Sequence, residues 1–320
     1  LKELAVRMGV PVEYDWFTIN AEPLKRVYED ILAESGAVLR FFTKIVDVVT
    51  SGGRIEAVVV STHEGLKAVT GRVFIEATGD GDVAAWAGAD FEAGDETGAQ
   101  QATTLCFTVA GVDWDKWRSY KTPDGDRADR HIWRSQAAQG KTPLAEPRLA
   151  VGILPVNESA GQSNSGHVFG VNGLVEGNLT EGIIKGRENA DRLIEWYRKN
   201  VPGFENCRLA ATAQILGIRE TRRITGEYVL TEDDYDARAS FDDEIGRNAN
   251  PLDVHASRCD GNCQDGAYGL ERQKHYPPGD SYGVPYRCLI PKKLENVLVA
   301  GRCLSTDRLM HGSMRVLSLI

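Results

Sequence analysis

No stretch of the 320 residues approaches the ~20 consecutive apolar residues of a membrane-crossing helix, so no helical span is expected. No basic segment followed by an apolar one opens the chain, so no secretory leader is read. Positive charge is also short: 37 Lys+Arg stand against 46 Asp+Glu, a net charge of −9. That sign argues against nucleic acid as a partner, because phosphate binding needs a basic surface. The six cysteines, at 106, 207, 259, 263, 288 and 303, include no Cys-x-x-Cys pair. A ferredoxin-type cluster is therefore not expected in this chain, and scattered thiols of this kind point to a reduced, cytoplasmic setting. Internal repeats and low-complexity linkers are also lacking.

What is present is a chain able to fold, with 42% hydrophobic and 26% charged residues. Its length suits one large domain or two modest ones. Leu24, Val27, Tyr28, Ile31 and Leu32 recur at three-and-four spacing and predict a helix over 20–35, with Asn20 as cap and Gly36 as stop. Short extended runs follow at 38–42 and 44–50, then a turn at 51–54, a return strand at 55–61, a turn at 63–65 and a third strand at 66–69. A buried strand at 72–77 runs into Thr78-Gly79-Asp80-Gly81-Asp82, and a helix opens at Val83. This order is α/β, or α+β taken over the whole chain. From about 88 the composition becomes irregular: a strand is expected at 104–109, and a helix at 181–199 with Thr180 as cap. Strand-like alternation is read over 208–230, a polar, turn-rich stretch over 231–282, and a short apolar strand over 296–301.

Two segments invite a chemical reading. In Thr78–Asp82, an apolar strand ends in Thr-Gly, which lets backbone approach a ligand. The alternative is a plain strand-to-helix turn capped by Asp82. In Val299-Ala300-Gly301-Arg302, another apolar strand meets a glycine, followed by His311-Gly312-Ser313-Met314-Arg315. If a helix begins near Gly312, its amides favour an anion and Arg315 adds charge-assisted bonds. The alternative there is a surface turn with a solvated arginine. Two strand–glycine ends in one α/β chain point to one dinucleotide.

Weaker candidates are read more plainly. His255-x3-Cys259-x3-Cys263 lacks a fourth zinc ligand except Asp260, and a polar loop is the preferred reading. Glu232, Asp233, Asp234 and Asp236 read as a solvated acidic turn, and Trp114 and Trp117 as packing residues. No metal site is expected.

The runs Ile75–Ala84, Gly217–Tyr228, Pro285–Pro291, Val299–Cys303 and Gly312–Val316 together resemble the FAD-dependent oxidoreductase family, related to the flavin subunits of fumarate reductases and of heterodisulfide reductase. The resemblance implies a partial FAD-binding, Rossmann-like domain with a β-meander at 1–87, an inserted mixed α+β substrate domain at 88–284, and a return to the FAD-binding domain at 285–320. It places Val46 where the family offers backbone to the adenine. Thr78, Gly79 and Asp80 match the loop near the adenosine and pyrophosphate. Gly301 and Arg302 match the strand end near the ribityl-pyrophosphate part. Gly312, Ser313, Met314 and Arg315 match the loop beside the flavin pyrimidine edge, where donors stabilise negative charge on reduced flavin. The family's opening Gly-x-Gly-x-x-Gly unit has no counterpart near the start. The chain begins at Leu1 and stops inside the run Met314–Ile320, so it is read as a fragment cut at both ends, inactive alone, whose parent binds FAD.

The leading expectation is thus a flavoenzyme that moves hydride or electrons between a small, anionic organic substrate and an acceptor. Arg219 and Arg222 are read as substrate clamps and His311 as an acid or base. For the cluster Arg219, Arg222 and Arg223, salt bridges to Glu220 and Glu227 are the equal alternative. For His311 the alternative is a polar surface histidine. A flavin-containing relay subunit, passing electrons to an iron–sulfur partner protein, is the second reading. A metal-dependent hydrolase using Asp80, Asp82 and His311 is the third.

Overall fold

The computed structural model describes residues 6–8, 21–146, 149, 151–258 and 274–315. In chain order its main elements begin with helix α1 (Ala21–Glu34) and strands β1 (Lys44–Ser51), β2 (Arg54–Thr62), β3 (Gly65–Thr70) and β4 (Phe74–Glu76). Helix α2 (Asp82–Trp86) and strands β5 (Phe91–Ala93), β6 (Thr103–Thr104) and β7 (Phe107–Ala110) follow. Next come helices α3 (Trp114–Ser119) and α4 (Ala128–Ala137), then strands β8 (Ile153–Pro155), β9 (Gly161–Ser163) and β10 (His167–Val168). Helix α5 (Glu176–Asn200) leads to strands β11 (Arg208–Thr212) and β12 (Arg222–Ile224). Helix α6 (Glu232–Ala237), strands β13 (Glu244–Asn248), β14 (Tyr282–Pro285) and β15 (Val297–Val299), and helix α7 (Arg308–Met314) complete the order.

These elements gather into two compact units. One comprises Leu1–Phe42, Cys106–Gly166 and Arg187–Gln214; the other comprises Thr43–Leu105, His167–Gly186 and Ile215–Ile320.

In the first unit, β11, β7, β9 and β8 form a four-stranded antiparallel sheet in that order. Phe107, Val109 and Ile153 from this sheet share a core with Trp114, Trp133, Leu193, Tyr197 and Phe204. Trp114 meets Phe204 edge to face at 5.6 Å, so it is a packing residue, as its sequence setting implied. A polar anchor sits inside: Asp129 is fully buried, accepts from the Tyr197 hydroxyl at 2.9 Å and pairs with Arg127. Helix α1 forms as its periodicity requires and ends at Gly36, which takes φ +74 while Ala37 N–H donates to Leu32 O. The extended run expected at 38–42 does not form a strand, and Phe42 adopts φ +53, which breaks any extended run.

In the second unit, β1, β2 and β3 form the expected antiparallel meander. Ser51 pairs with Arg54 across Gly52 and Gly53, both at positive φ, as a two-residue hairpin turn demands. The register passes from Ile45 to Asp47 and skips Val46, a bulge in β1. Ile55, Val58 and Val60 pack on Val83, Ala84, Ile224, Val297 and Val299. Strand β15 runs parallel to β4, with Val299 opposite Glu76. Asn296 ties that pair to the meander, donating to Ile55 O at 2.8 Å and accepting from Ile55 N at 2.9 Å. A further cluster gathers Leu230, Tyr235, Leu252, Tyr282, Val284, Cys288, Met310 and Met314.

Several elements differ from the sequence expectations for visible reasons. The strand expected at 104–109 is two strands, because the chain changes partners: β6 pairs with β10, and β7 with β9 and β11. Helix α5 begins at Glu176, so Thr180 lies inside it and returns its hydroxyl to Glu176 O at 3.1 Å. The acidic run opens α6, where Thr231 and Asp234 form a capping box. Among the described residues, no group of three His, Cys, Asp or Glu could hold a metal, and no helix is long and apolar enough to cross a membrane. Cys259, Asp260 and Cys263 lie outside the described residues.

Candidate functional site

The two glycine corners meet. Strands β4 and β15 end side by side, and Ala300 N–H donates to Glu76 O at 2.8 Å just beyond them. The Glu76 side chain, only 2% exposed, fills the turn that follows. Its Oε1 accepts from Thr78 N at 2.7 Å, and its Oε2 accepts from Val83 N at 2.6 Å and Ala84 N at 3.3 Å. The first amides of α2 are therefore satisfied by a carboxylate from the fold itself. Thr78 Oγ1 accepts from Asp80 N and Asp82 N, each at 3.3 Å. Gly81 stands at φ +66, and a Cβ there would sit 2.9 Å from Ile224 Cδ1, so no other residue fits without a shift.

Arg302 locks the corners together. Its guanidinium pairs with Asp80 and donates to Ile218 O at 3.0 Å, while Asp80 also accepts from the Thr221 hydroxyl at 2.8 Å. Gly79, at φ +82, leaves room for that guanidinium: a Cβ would lie 3.2 Å from its Nη2. Gly301, at φ +83, faces open space, with nothing within 4 Å of where a Cβ would be.

The arginine cluster divides its work. Arg222 donates to Asp80 O at 2.9 Å and Asp82 Oδ1 at 2.7 Å, and stacks 5.2 Å over Phe91. It binds the turn and not an open substrate pocket, which corrects its reading as a substrate clamp. Arg223 is buried and bridges Glu220 and Glu92. The salt-bridge alternative therefore holds for Glu220, whereas the Arg223 side chain reaches Glu92 in place of Glu227. Arg219 lies outside β12, 8% exposed, and donates to Ala102 O at 2.6 Å.

Helix α7 begins four residues before Gly312, because Asp307 caps it by accepting from Met310 N at 2.7 Å. Gly312 and Ser313 are thus inside the helix and not at its start, which corrects the expected anion-binding amides. Gly312 is needed for closeness: a Cβ would lie 2.9 Å from Asp253 O. Ser313 donates to Asn250 O at 2.7 Å, so the Tyr282 hydroxyl, also 2.7 Å away, is the donor to Ser313 Oγ. Met314 is buried beside Tyr282, and Arg315 holds Asp253 through Oδ2 at 2.9 Å and O at 2.8 Å.

His311 is 1% exposed, and its Nε2 donates to Arg302 O at 2.9 Å. Burial, with Arg315, Arg223 and Arg302 nearby, pushes its pKa down to about 3. It is neutral at pH 7 and a poor proton acceptor; its placement is that of a residue positioning the Arg302 carbonyl. Its burial corrects the alternative of a polar surface histidine.

One grouping was missed in the sequence. His167 Nε2 lies 2.9 Å from His255 Nδ1, and His255 Nε2 lies 3.3 Å from Asp253 Oδ2. The two histidines are 88 residues apart, and no local pattern joins them.

The sequence profile of the family described as FAD dependent oxidoreductase matches residues 2–320. No protein of curated function matches the chain. Among solved structures, the chain is similar to a triple mutant of the flavin-dependent brominase Bmp2, with 12% identity and a TM-score of 0.38 over 67% of this chain and 48% of that one. It is similar to CabE, an aromatic hydroxylase from angucycline biosynthesis, with 13% identity and a TM-score of 0.38 over 69% and 38%. It is also similar to L-proline dehydrogenase from P. horikoshii, with 10% identity and a TM-score of 0.33 over 92% and 51%. The chain thus spans about half or less of these proteins' length. The corner described above fits a dinucleotide: Gly301 leaves open space at a strand end, and the buried Nε donors of Arg222 and Arg302 have no hydrogen-bond partner. With its profile matched over nearly its whole length and two glycine corners joined at parallel strand ends, the chain belongs to the FAD dependent oxidoreductase family, mixed α/β flavoproteins whose cofactor is FAD.

Proposed function

We propose that this chain is part of an oxidoreductase that exchanges electrons between a small anionic organic substrate and FAD, with residues 1–87 and 285–320 serving the dinucleotide and 88–284 the substrate. The carrying observation is the junction of Thr78–Asp82 with Gly301–Arg302 through the Arg302–Asp80 pair. It lies at the carboxyl ends of neighbouring parallel strands, where ligands of α/β sheets sit. Thr78, Gly79 and Asp80 would hold one side of the dinucleotide, and Gly301 and Arg302 the other. The skipped residue Val46, on the largely exposed strand β1, would offer backbone to the adenine. Gly312, Ser313, Met314 and Arg315 would flank the flavin end from α7. When bound, FAD supplies the two-electron acceptor.

The chain's own residues orient and exclude water. Arg222 and Arg302 keep Asp80 and Asp82 paired, so neither carboxylate is open for metal-assisted hydrolysis. His311 fixes the Arg302 carbonyl. Arg219, which donates to Ala102 O, would orient a substrate anion.

The test is anaerobic mixing of the purified full-length protein with a panel of small organic acids. Bleaching of the flavin bands by an acid alone is the expected result. A yellow protein bleached only through an iron–sulfur partner would replace the enzyme reading with that of a relay subunit; a colourless one would overturn both.

A further inference from the structure

We infer that strand β11 and the neighbouring side of helix α5 form a docking groove for an acidic peptide in extended conformation, which adds to the free edge of β11 and sets its carboxylates on Arg198 and Arg208. The groove lies within one compact unit and asks nothing of the flavin.

The free edge comes first. In the order β11-β7-β9-β8, the outer strands are β11 and β8. Strand β8 ends at Pro155, a residue that discourages strand addition. Strand β11, Arg208-Leu209-Ala210-Ala211-Thr212, carries no proline, and all but Thr212 are exposed. Its register on β7 passes from Leu209 to Ala211, so exposed Ala210 stands outside the ladder. An outer strand of this kind presents a row of backbone N–H and C=O groups to an extended chain.

Helix α5 supplies the facing wall. Asp191, Ile194, Glu195, Arg198 and Lys199 recur at three-and-four spacing and so share one side of the helix, while Leu193 and Tyr197 belong to the core. That side borders a groove of about 620 Å³, closed by Cys207, Arg208 and Leu209. Its buried members are uncharged: Ile194 is apolar, and burial pushes the Cys207 thiol up to about 11. The remaining charges select the occupant. Glu195 is spent on Lys199 at 2.5 Å, and Glu205 on Lys116 at 2.7 Å. Arg198 is felt electrostatically at Glu195 and Cys207. Neither it nor Arg208 makes a side-chain hydrogen bond or ion pair among the described residues. Two guanidinium groups thus stand against one unspent acid, Asp191. Their planar forks match carboxylates, and an extended peptide turns every second side chain to the same side. Main-chain pairing then supplies affinity and the acidic side chains supply selectivity.

The probe is an acetylated, fluorescein-labelled octapeptide of alternating Glu and Val, followed by fluorescence anisotropy with the purified full-length protein. Wild type should bind it. Arg198→Ala and Arg208→Ala should each weaken binding about fivefold, and salt at about 0.5 M should weaken it in wild type. Both arginines are exposed, so neither replacement disturbs the core. The same peptide N-methylated at every amide keeps its charge and should not bind, because it has no N–H to donate to β11. A Lys-Val octapeptide should not bind either. No binding of the Glu-Val peptide, or binding unchanged in both variants, overturns the proposal. Equal binding of the N-methylated peptide overturns strand addition, and equal binding of the Lys-Val peptide overturns the role of the arginines. A chain that sediments as a dimer, dispersed by Arg208→Ala, would put a second copy on β11 and overturn the peptide as its occupant.

Discussion

At the residue scale, three backbone amides, two of them buried, depend on one side chain. Glu76→Gln replaces one of the two acceptor oxygens by an amide N–H, setting donor against donor either at Thr78 N or at Val83 N and Ala84 N. A loss of about 2–4 kcal/mol in urea-unfolding free energy is expected. The buried histidines set an acid response. His255 and His311 have folded pKa values of about 4 and about 3, below the ordinary 6.5. In the unfolded chain they bind protons first, so the stability that neutral burial preserves is present above pH 6.5 and lost as pH falls toward 4. Unfolding midpoints should therefore drop between pH 7 and pH 5, before the low-lying Asp95, held at about 2, begins to titrate. His311→Gln should flatten that slope.

At the scale of elements, the meander, α1 and the β4 strand were legible because each is coded locally, by period and by turn glycines. The start of α7 was not, because a glycine beside a serine resembles a helix opening. Gly312 is there to let the helix approach Asp253 O, a contact 59 positions away that no local pattern records. The true signal was Asp307, which serves two helices at once. Its Oδ1 accepts from Met310 N at 2.7 Å and its Oδ2 from Glu232 N at 2.9 Å. Asp307→Ala should cost about 2 kcal/mol, roughly twice one cap, read by chemical denaturation. Asp307→Asn keeps one acceptor and should cost about half as much.

At the scale of the whole molecule, the strand–glycine corners were readable as a pair, but their fastening was not. Arg302 and Asp80 are 222 positions apart, and Arg222 reaches Asp82 across 140. The histidine pair was hidden for the same reason: its members are joined only by folding. If Arg302 holds both corners and a flavin oxygen, Arg302→Ala should lower flavin retention by about tenfold or more after gel filtration, with Arg302→Lys between it and wild type. Unchanged flavin content in Arg302→Ala would remove this arginine from the dinucleotide site.

Glu76 carries a last consequence. The turn after β4 ships with its own counter-ion, sealed from solvent. Inorganic pyrophosphate should find no vacancy at that helix mouth, and concentrated salt should not loosen it, since ions in solution shield exposed charges far more than interred ones. A dinucleotide resting on this corner would have to be gripped from its flank, by the guanidinium of Arg302, and not by the helix tip.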